Sequence, residues 1–343
     1  MKDLVTRLTR ADRNWLALAA LLFIGLAVLP IGLEAYNLAT VRDVMIFSLF
    51  AVSLDLFWGR SGILSFGHAT FFGLGAYGMA TATVTLQLPP GIGSIVGLAC
   101  GVGAATVLAL GIAYFLIRGG VRGAYFTIIT LALSLLAQQI AVGWSDVTGG
   151  DSGIIGVPAL HIGRIELGGA TSQFYLAWAV LLVTTVVAWA VLRGRHGVVL
   201  RAIEDSEVKV ETLGYSSSLY LIVLFTLSAM VAALAGALYS TMTGFVTPDL
   251  IGLILSTEVI MWVATGGRGA LLGAIVGTIV VSQLQQRISS IDTALWPMFM
   301  GFFFIAMIFL FPDGLLSLGQ RLVGLLRRKT TAHRTPPATE IAP

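Results

Sequence analysis

Apolar runs follow one another along nearly the whole chain, at roughly 15–33, 41–58, 68–86, 92–117, 123–143, 174–192, 219–241, 251–265, 270–288 and 294–311. A helix needs about 20 such residues to cross the hydrocarbon core of a bilayer, so each run reads as a membrane span, the eighth a short one. Backbone polar groups find no water at that depth, which makes helices the form these spans take. The first run follows a basic segment (Lys2, Arg7, Arg10, Arg13) and superficially resembles a signal peptide. It is too long for one, and no small-x-small cleavage site closes it, so it is kept as a span. The expected fold is all-α: a polytopic membrane protein of about ten transmembrane helices.

Composition agrees. Charged residues make up 11% of the chain and hydrophobic ones 57%, whereas a soluble domain is about a quarter charged. The 40 glycines fit closely packed and broken helices better than a flexible linker. Cys100 is the one cysteine, which excludes an internal disulfide; in its apolar run it reads as a small core filler. The net charge of +3 matters less than where the cations sit.

Their placement is lopsided. With a cytosolic N-terminus, seventeen of the 20 lysines and arginines fall in cytosolic segments, and only Arg42, Arg164 and Arg287 fall outside. That bias supports an even number of spans with both termini inside. The external loop 145–172 holds VTGGDSGIIGVP, rich in turn formers, and reads as an ordered loop rather than a strand.

The most charged internal segment, RGRHGVVLRAIEDSEVKVETLGYSSS (193–218), then lies in the cytosol. At 100° per residue, Val199, Leu200, Ala202, Ile203, Val210 and Leu213 share one face of a helix. Arg201, Glu204, Asp205, Lys209 and Glu211 share the other, while Glu207 and Val208 interrupt the stripe. Asp205 and Lys209 are spaced as an i,i+4 pair, and Gly214 is a natural C-terminal stop. Such a helix needs a surface to lie on: headgroups, its own protein or a partner. The expectation is a docking element for a cytosolic ATPase.

Two glycine–arginine breaks interrupt the apolar sequence, GRSGILSFG (59–67) and GGRGALLG (266–273), each leading into a small-residue helix. Paired interruptions point to a transporter with two pseudo-symmetric halves and a pathway at their interface; two ordinary turns between spans are the other reading. Ionisable residues inside spans are costly and count as site candidates. Asp55, His68 and Glu258, together with Ser65, Gly67, Gly266 and Gly267 of the two breaks, are therefore the candidates for the translocation pathway. Structural roles stay open for Asp55, as a partner of Arg60 or a backbone amide, and for His68 as a packing residue.

Enzyme chemistry finds no footing. Lys2, Lys209 and Lys329 are the only lysines, and none completes the Gly-x-x-x-x-Gly-Lys-Ser/Thr loop that cradles nucleotide phosphates. His68, His161, His196 and His333 are too scattered for a metal site, and nothing calls for a cofactor. Ser61 within Gly59–Gly62 mimics a nucleophile turn, but its one intramembrane histidine, His68, lies on the same strand of sequence and is poorly placed as a base. The absence of rows of charge in the spans argues against a proton pump or voltage sensor, and a poorly charged pathway suits a small neutral, zwitterionic or apolar solute.

LDLFWGRSGILSFGHATFFGLGAY (54–77) resembles the signature of the M-type permease subunit of branched-chain (hydrophobic) amino acid ABC importers. The likeness continues at RGAYFTIIT (122–130), TGGDSG (148–153), RAIEDSE (201–207) through Leu213-Gly214, and GGRG (266–269), covering roughly residues 41–315. The resemblance implies a heterodimer with a second, homologous permease subunit, two cytosolic ABC ATPase subunits and a periplasmic solute-binding protein, all at the inner membrane and with no nucleic acid. It makes Arg201 to Gly214 the coupling helix, with Arg201, Glu204, Asp205, Glu207, Lys209, Glu211 and Gly214 at the ATPase contact. Lys209 and Val210 depart from the small residues usual there. Asp55, where many amino-acid members carry Asn, and IMWVATGGR (260–268) also resemble urea and short-amide permeases. An ATP-independent channel or secondary transporter is the more distant alternative. The implied organisation is a basic tail (1–14), a membrane domain (15–318) with the cytosolic loop 193–218, and a cytosolic disordered tail (319–343).

Overall fold

The computed structural model describes residues 2–163, 165–292 and 295–310. The C-terminal tail read at 319–343 lies outside them. The chain folds into helices joined by short connections: α1 (Lys2–Val28), α2 (Ala35–Ser61), α3 (His68–Ala80), α4 (Pro90–Arg118), α5 (Ala124–Gly143), α6 (Ser145–Thr148), α7 (Ala170–Arg193), α8 (Arg195–Asp205), α9 (Glu207–Thr212), α10 (Ser217–Thr243), α11 (Leu253–Gly266), α12 (Leu271–Ser289) and α13 (Leu295–Leu310). Five of them, α4, α5, α7, α10 and α12, are long and apolar enough to cross a membrane, and α11 is a shorter apolar helix. This is an all-α polytopic membrane architecture. Its outer helices display large apolar side chains, among them Val107, Phe115, Ile128 and Leu136. A soluble monomer does not carry such a surface; a bilayer covers it.

The core is built around α3, a short helix buried on nearly every side by α2, α4, α5, α10 and α11. Glycine makes that possible. A Cβ at Gly75 would collide with the Ala233 carbonyl of α10, one at Gly236 with the Phe72 carbonyl of α3, and one at Gly78 with the Gly101 backbone of α4. Without a hydrophobic drive between helices in lipid, this close backbone approach supplies the packing attraction. Past Ala80 the helix widens into a π turn, Thr81–Thr85.

Four two-residue strands trim the connections. In antiparallel pairs, β1 (Ile154–Ile155) meets β4 (Phe245–Val246), and β2 (His161–Ile162) meets β3 (Ile165–Glu166). The loop 145–172 is thus mostly irregular but clipped by these short ladders and by α6. Cys100 corrects the core-filler reading: it lies on the exposed side of α4, because Gly97, Gly101 and Ala105 take the inward face.

Candidate functional site

The charged segment departs from the single helix expected of it. Ser206 adopts an extended backbone (φ −168°, ψ 106°) and splits it into α8 and α9, at the very point where Glu207 and Val208 interrupt the apolar stripe. Ser206 Oγ caps the second helix by accepting from Lys209 N (3.5 Å). The expected Asp205–Lys209 pair is replaced by this cap, since the two residues now sit on different helices. Leu213 moves too: it is 74% exposed, because α9 ends at Thr212 and Gly214 turns the chain with φ +88°. Leu200, Ile203 and Val210 remain buried, and Gly197 lets α8 fold back onto the end of α7, where a Cβ would strike the Leu192 carbonyl.

Three acids of this hairpin reach partners elsewhere in the chain. Glu207 pairs with Arg122 of the α4–α5 connection (3.0 Å), and Arg122 also donates to the Ile117 carbonyl (2.6 Å). Glu204 meets Arg268 of the α11–α12 turn (3.7 Å). Glu211 accepts from Ser217 at the start of α10. Three carboxylates therefore tie one small hairpin to three separate parts of the bundle. Arg201, Asp205 and Lys209 stay exposed, and beside them stand Val208 (71% exposed) and Leu213. Sequence reasoning singled out the acids but missed their partners Arg122 and Arg268, although both stand in the quoted motifs.

The two glycine–arginine breaks meet directly above the hairpin. Asp55 Oδ1 accepts from the Gly269 amide (2.6 Å), and Arg60 donates to the Gly269 carbonyl (3.2 Å). Gly59 lies so close that a Cβ there would be 2.7 Å from both the Gly269 Cα and the Asp55 carboxylate. Gly267 takes φ +105°, and a Cβ on Gly266 would collide with the Gly273 carbonyl. These residues form a backbone joint between α2 and the α11–α12 turn.

The irregular stretch 62–67 is held by side chains of neighbouring helices. Thr127 of α5 donates to the Leu64 carbonyl (3.0 Å), and Thr130 accepts from the Phe66 amide (3.2 Å). Ser256 of α11 accepts from the Ala69 amide (3.3 Å), while Gly67 packs on the Thr130 carbonyl. Non-helical backbone at membrane depth is tolerated only when protein satisfies it in this way. Ser65 is buried there with an unpartnered hydroxyl.

His68 is fully buried, its Nε2 2.9 Å from Ser53 Oγ and 3.4 Å from Ser228 Oγ, its ring stacked on Phe50. Ser61 instead bonds the Phe57 carbonyl and the Ile63 amide, so serine and histidine do not meet. Glu258 of α11 accepts from Trp296 Nε1 (2.9 Å) and Gln285 Nε2 (3.1 Å), toward the other end of the bundle. An apolar cavity of about 830 Å³ lies between α4 and α7 over α2 and α10, with Ser53, the partner of His68, in its lining. No cluster of His, Cys, Asp or Glu among the described residues could hold a metal.

A small hairpin is tethered by three of its acids to a bundle of apolar helices, and comparison decides the family. Residues 36–310 match the family described as branched-chain amino acid transport system / permease component. The chain belongs to that family. It is similar to the high-affinity branched-chain amino acid transport system permease protein LivM of Salmonella typhimurium, 26% identical over 326 residues, 88% of this chain and 75% of that one. BraD of Pseudomonas aeruginosa, a permease protein of the same description, is 24% identical over 68% of this chain and 79% of its own. The autoinducer 2 import system permease protein LsrC of an Enterobacter strain is 27% identical over 61% of this chain and 66% of its own. No solved structure matches the chain at a significant level. As a family member the chain is a membrane permease component, and part of the motifs that carried the resemblance, Asp55 to Arg60, Arg122, Arg201 to Gly214 and Gly266 to Gly269, lies at the joint and the hairpin.

Proposed function

We propose that this chain is the permease subunit of an ABC importer for branched-chain or other hydrophobic amino acids, driven by separate ATPase subunits at the α8–α9 hairpin. The supporting observation is the hairpin itself: its carboxylates hold it to the bundle through Arg122, Arg268 and Ser217, while Val208, Lys209 and Leu213 face out. Lacking a phosphate-binding loop, the chain relies on companions for ATP hydrolysis. In this reading about ten helices in two pseudo-symmetric halves cross the inner membrane, with both termini cytosolic, as the placement of lysine and arginine favours. The full assembly adds a second permease, a pair of ATPases and a periplasmic binding protein.

ATP binding draws the ATPases together and displaces the hairpin. Glu207 passes the motion to the α4–α5 connection, Glu204 to the α11–α12 turn, and Glu211 to α10. Through Asp55 and Arg60 the α11–α12 turn carries α2 with it, so the helices around α3 shift between inward and outward opening. A partner that bound both states equally would shift nothing, so the hairpin must fit the two ATPase arrangements unequally.

Asp55 and residues 260–268, which resemble urea and short-amide permeases, are engaged in the joint and in core packing. They give no reason to prefer an amide cargo over the one in the family description. ATP-dependent leucine uptake by vesicles carrying the assembled complex tests the proposal. Equal leucine flux through this chain without companions or nucleotide would contradict it.

A further inference from the structure

At the end of the bundle opposite the hairpin, three polar side chains from three segments come together: Tyr77 of α3, Gln138 of α5 and Asp249 of the turn before α11. Tyr77 is only 7% exposed, yet its hydroxyl has no hydrogen-bond partner. Leaving a buried hydroxyl unpaired costs about 1–3 kcal/mol, so this donor favours any acceptor that reaches it. Asp249 stands in the turn that packs against α3, and its Oδ1 accepts from Gln138 Nε2 (3.3 Å). No cation among the described residues forms an ion pair with Asp249.

The surroundings hold these groups in place. Ser134 Oγ donates to the Ile251 carbonyl (2.7 Å), pinning the turn to α5. Gly73, one helical turn before Tyr77, lies against Ile251 with no room for a Cβ. Gly252 leaves space for the Gln138 amide, 2.7–2.9 Å from where its Cβ would stand. Next to Gln138, Gln139 is exposed on a helix that is otherwise mostly apolar.

We infer that Tyr77, Gln138 and Asp249 form a contact site for a zwitterionic solute, an amino acid with an apolar side chain. Asp249 takes the ammonium group, the Tyr77 hydroxyl and the Gln138 amide donate to the carboxylate, and the apolar side chain meets the flanking helices. The site rests on the importer reading above and adds to it where the solute is first held in the membrane subunit. Neutral donors for the carboxylate keep the hold weak, as a pathway must release what it binds.

The test uses the complete transporter in proteoliposomes, with leucine as probe and binding-protein-stimulated ATP hydrolysis measured in parallel. Asp249→Asn and Tyr77→Phe are each expected to lower leucine uptake about tenfold, the change for one lost charge-assisted or hydrogen-bonded contact. ATP hydrolysis stays near its wild-type rate, because the hairpin is untouched, and Asp249→Glu recovers part of the uptake. Wild-type uptake in both variants overturns the site. So does Tyr77→Phe, which removes a single oxygen, if uptake and hydrolysis fall together. Failure of the unaltered complex to take up leucine while hydrolysing ATP overturns the cargo assignment, and the site with it.

Discussion

Arg122 and Glu207 are 85 positions apart in sequence, and their side chains meet at 3.0 Å to join the α4–α5 connection to α9. Arg122 is anchored in turn to the Ile117 carbonyl at the end of α4. A push on α9 therefore reaches two helices that do not flank it in sequence.

Reversing one charge of this pair should uncouple without unfolding. The two side chains are 25% and 35% exposed, and such a pair contributes at most about 1 kcal/mol to stability. Glu207→Arg is expected to leave membrane insertion intact and lower ATP-driven uptake several-fold. Combining it with Arg122→Glu should restore part of the loss, read in reconstituted vesicles as a double-mutant cycle.

Gly214 makes a separate point about backbone. Nothing stands within 4 Å of a Cβ at this position, so the demand is conformational alone. Gly214→Leu is expected to cost about 1–2 kcal/mol and to weaken ATPase binding, while Gly214→Asn, which tolerates the left-handed region, should be milder. Co-purification of the ATPase with each variant checks the order.

The Asp55 joint separates packing from cargo selection. Asparagine keeps an acceptor for the Gly269 amide, so Asp55→Asn is expected to leave the range of transported solutes unchanged. Asp55→Leu strands that amide and should destabilise the protein by roughly 1–3 kcal/mol. Uptake profiles and thermal unfolding in detergent distinguish the two outcomes.

Glycines on the outer and inner faces of the bundle should answer differently. Gly75→Val drives a branched side chain into the Ala233 backbone and is expected to abolish stable expression. Gly103→Ala meets nothing within 4 Å and should be neutral or add about 1 kcal/mol through helix propensity. Fluorescence-detected chromatography of the two variants makes the comparison.

The apolar runs announced the helices because burial in lipid writes itself into every residue of a span. Breaks in that pattern were legible for the same reason: Gly59–Gly67 and Gly266–Gly273 stand out against oil. What the breaks do was not legible, since the bond from the Gly269 amide to Asp55 joins positions 214 apart in sequence. The split at Ser206 was visible only as a fault in the stripe at Glu207 and Val208. Leu213 was misplaced because helical phase was carried across that fault. The contacts of Arg122 with Glu207 and of Arg268 with Glu204 are long-range, and periodicity carries no record of them.

The central claim is that force enters at the outward face of the α8–α9 hairpin. Its most direct measurement is ATP-dependent leucine uptake by vesicles bearing the full complex with both Val208→Asp and Leu213→Asp, two largely exposed positions of the hairpin. The account expects uptake to disappear and the ATPase to be lost on purification, with the permease still folded in the membrane. Undiminished uptake with the ATPase still bound would contradict it.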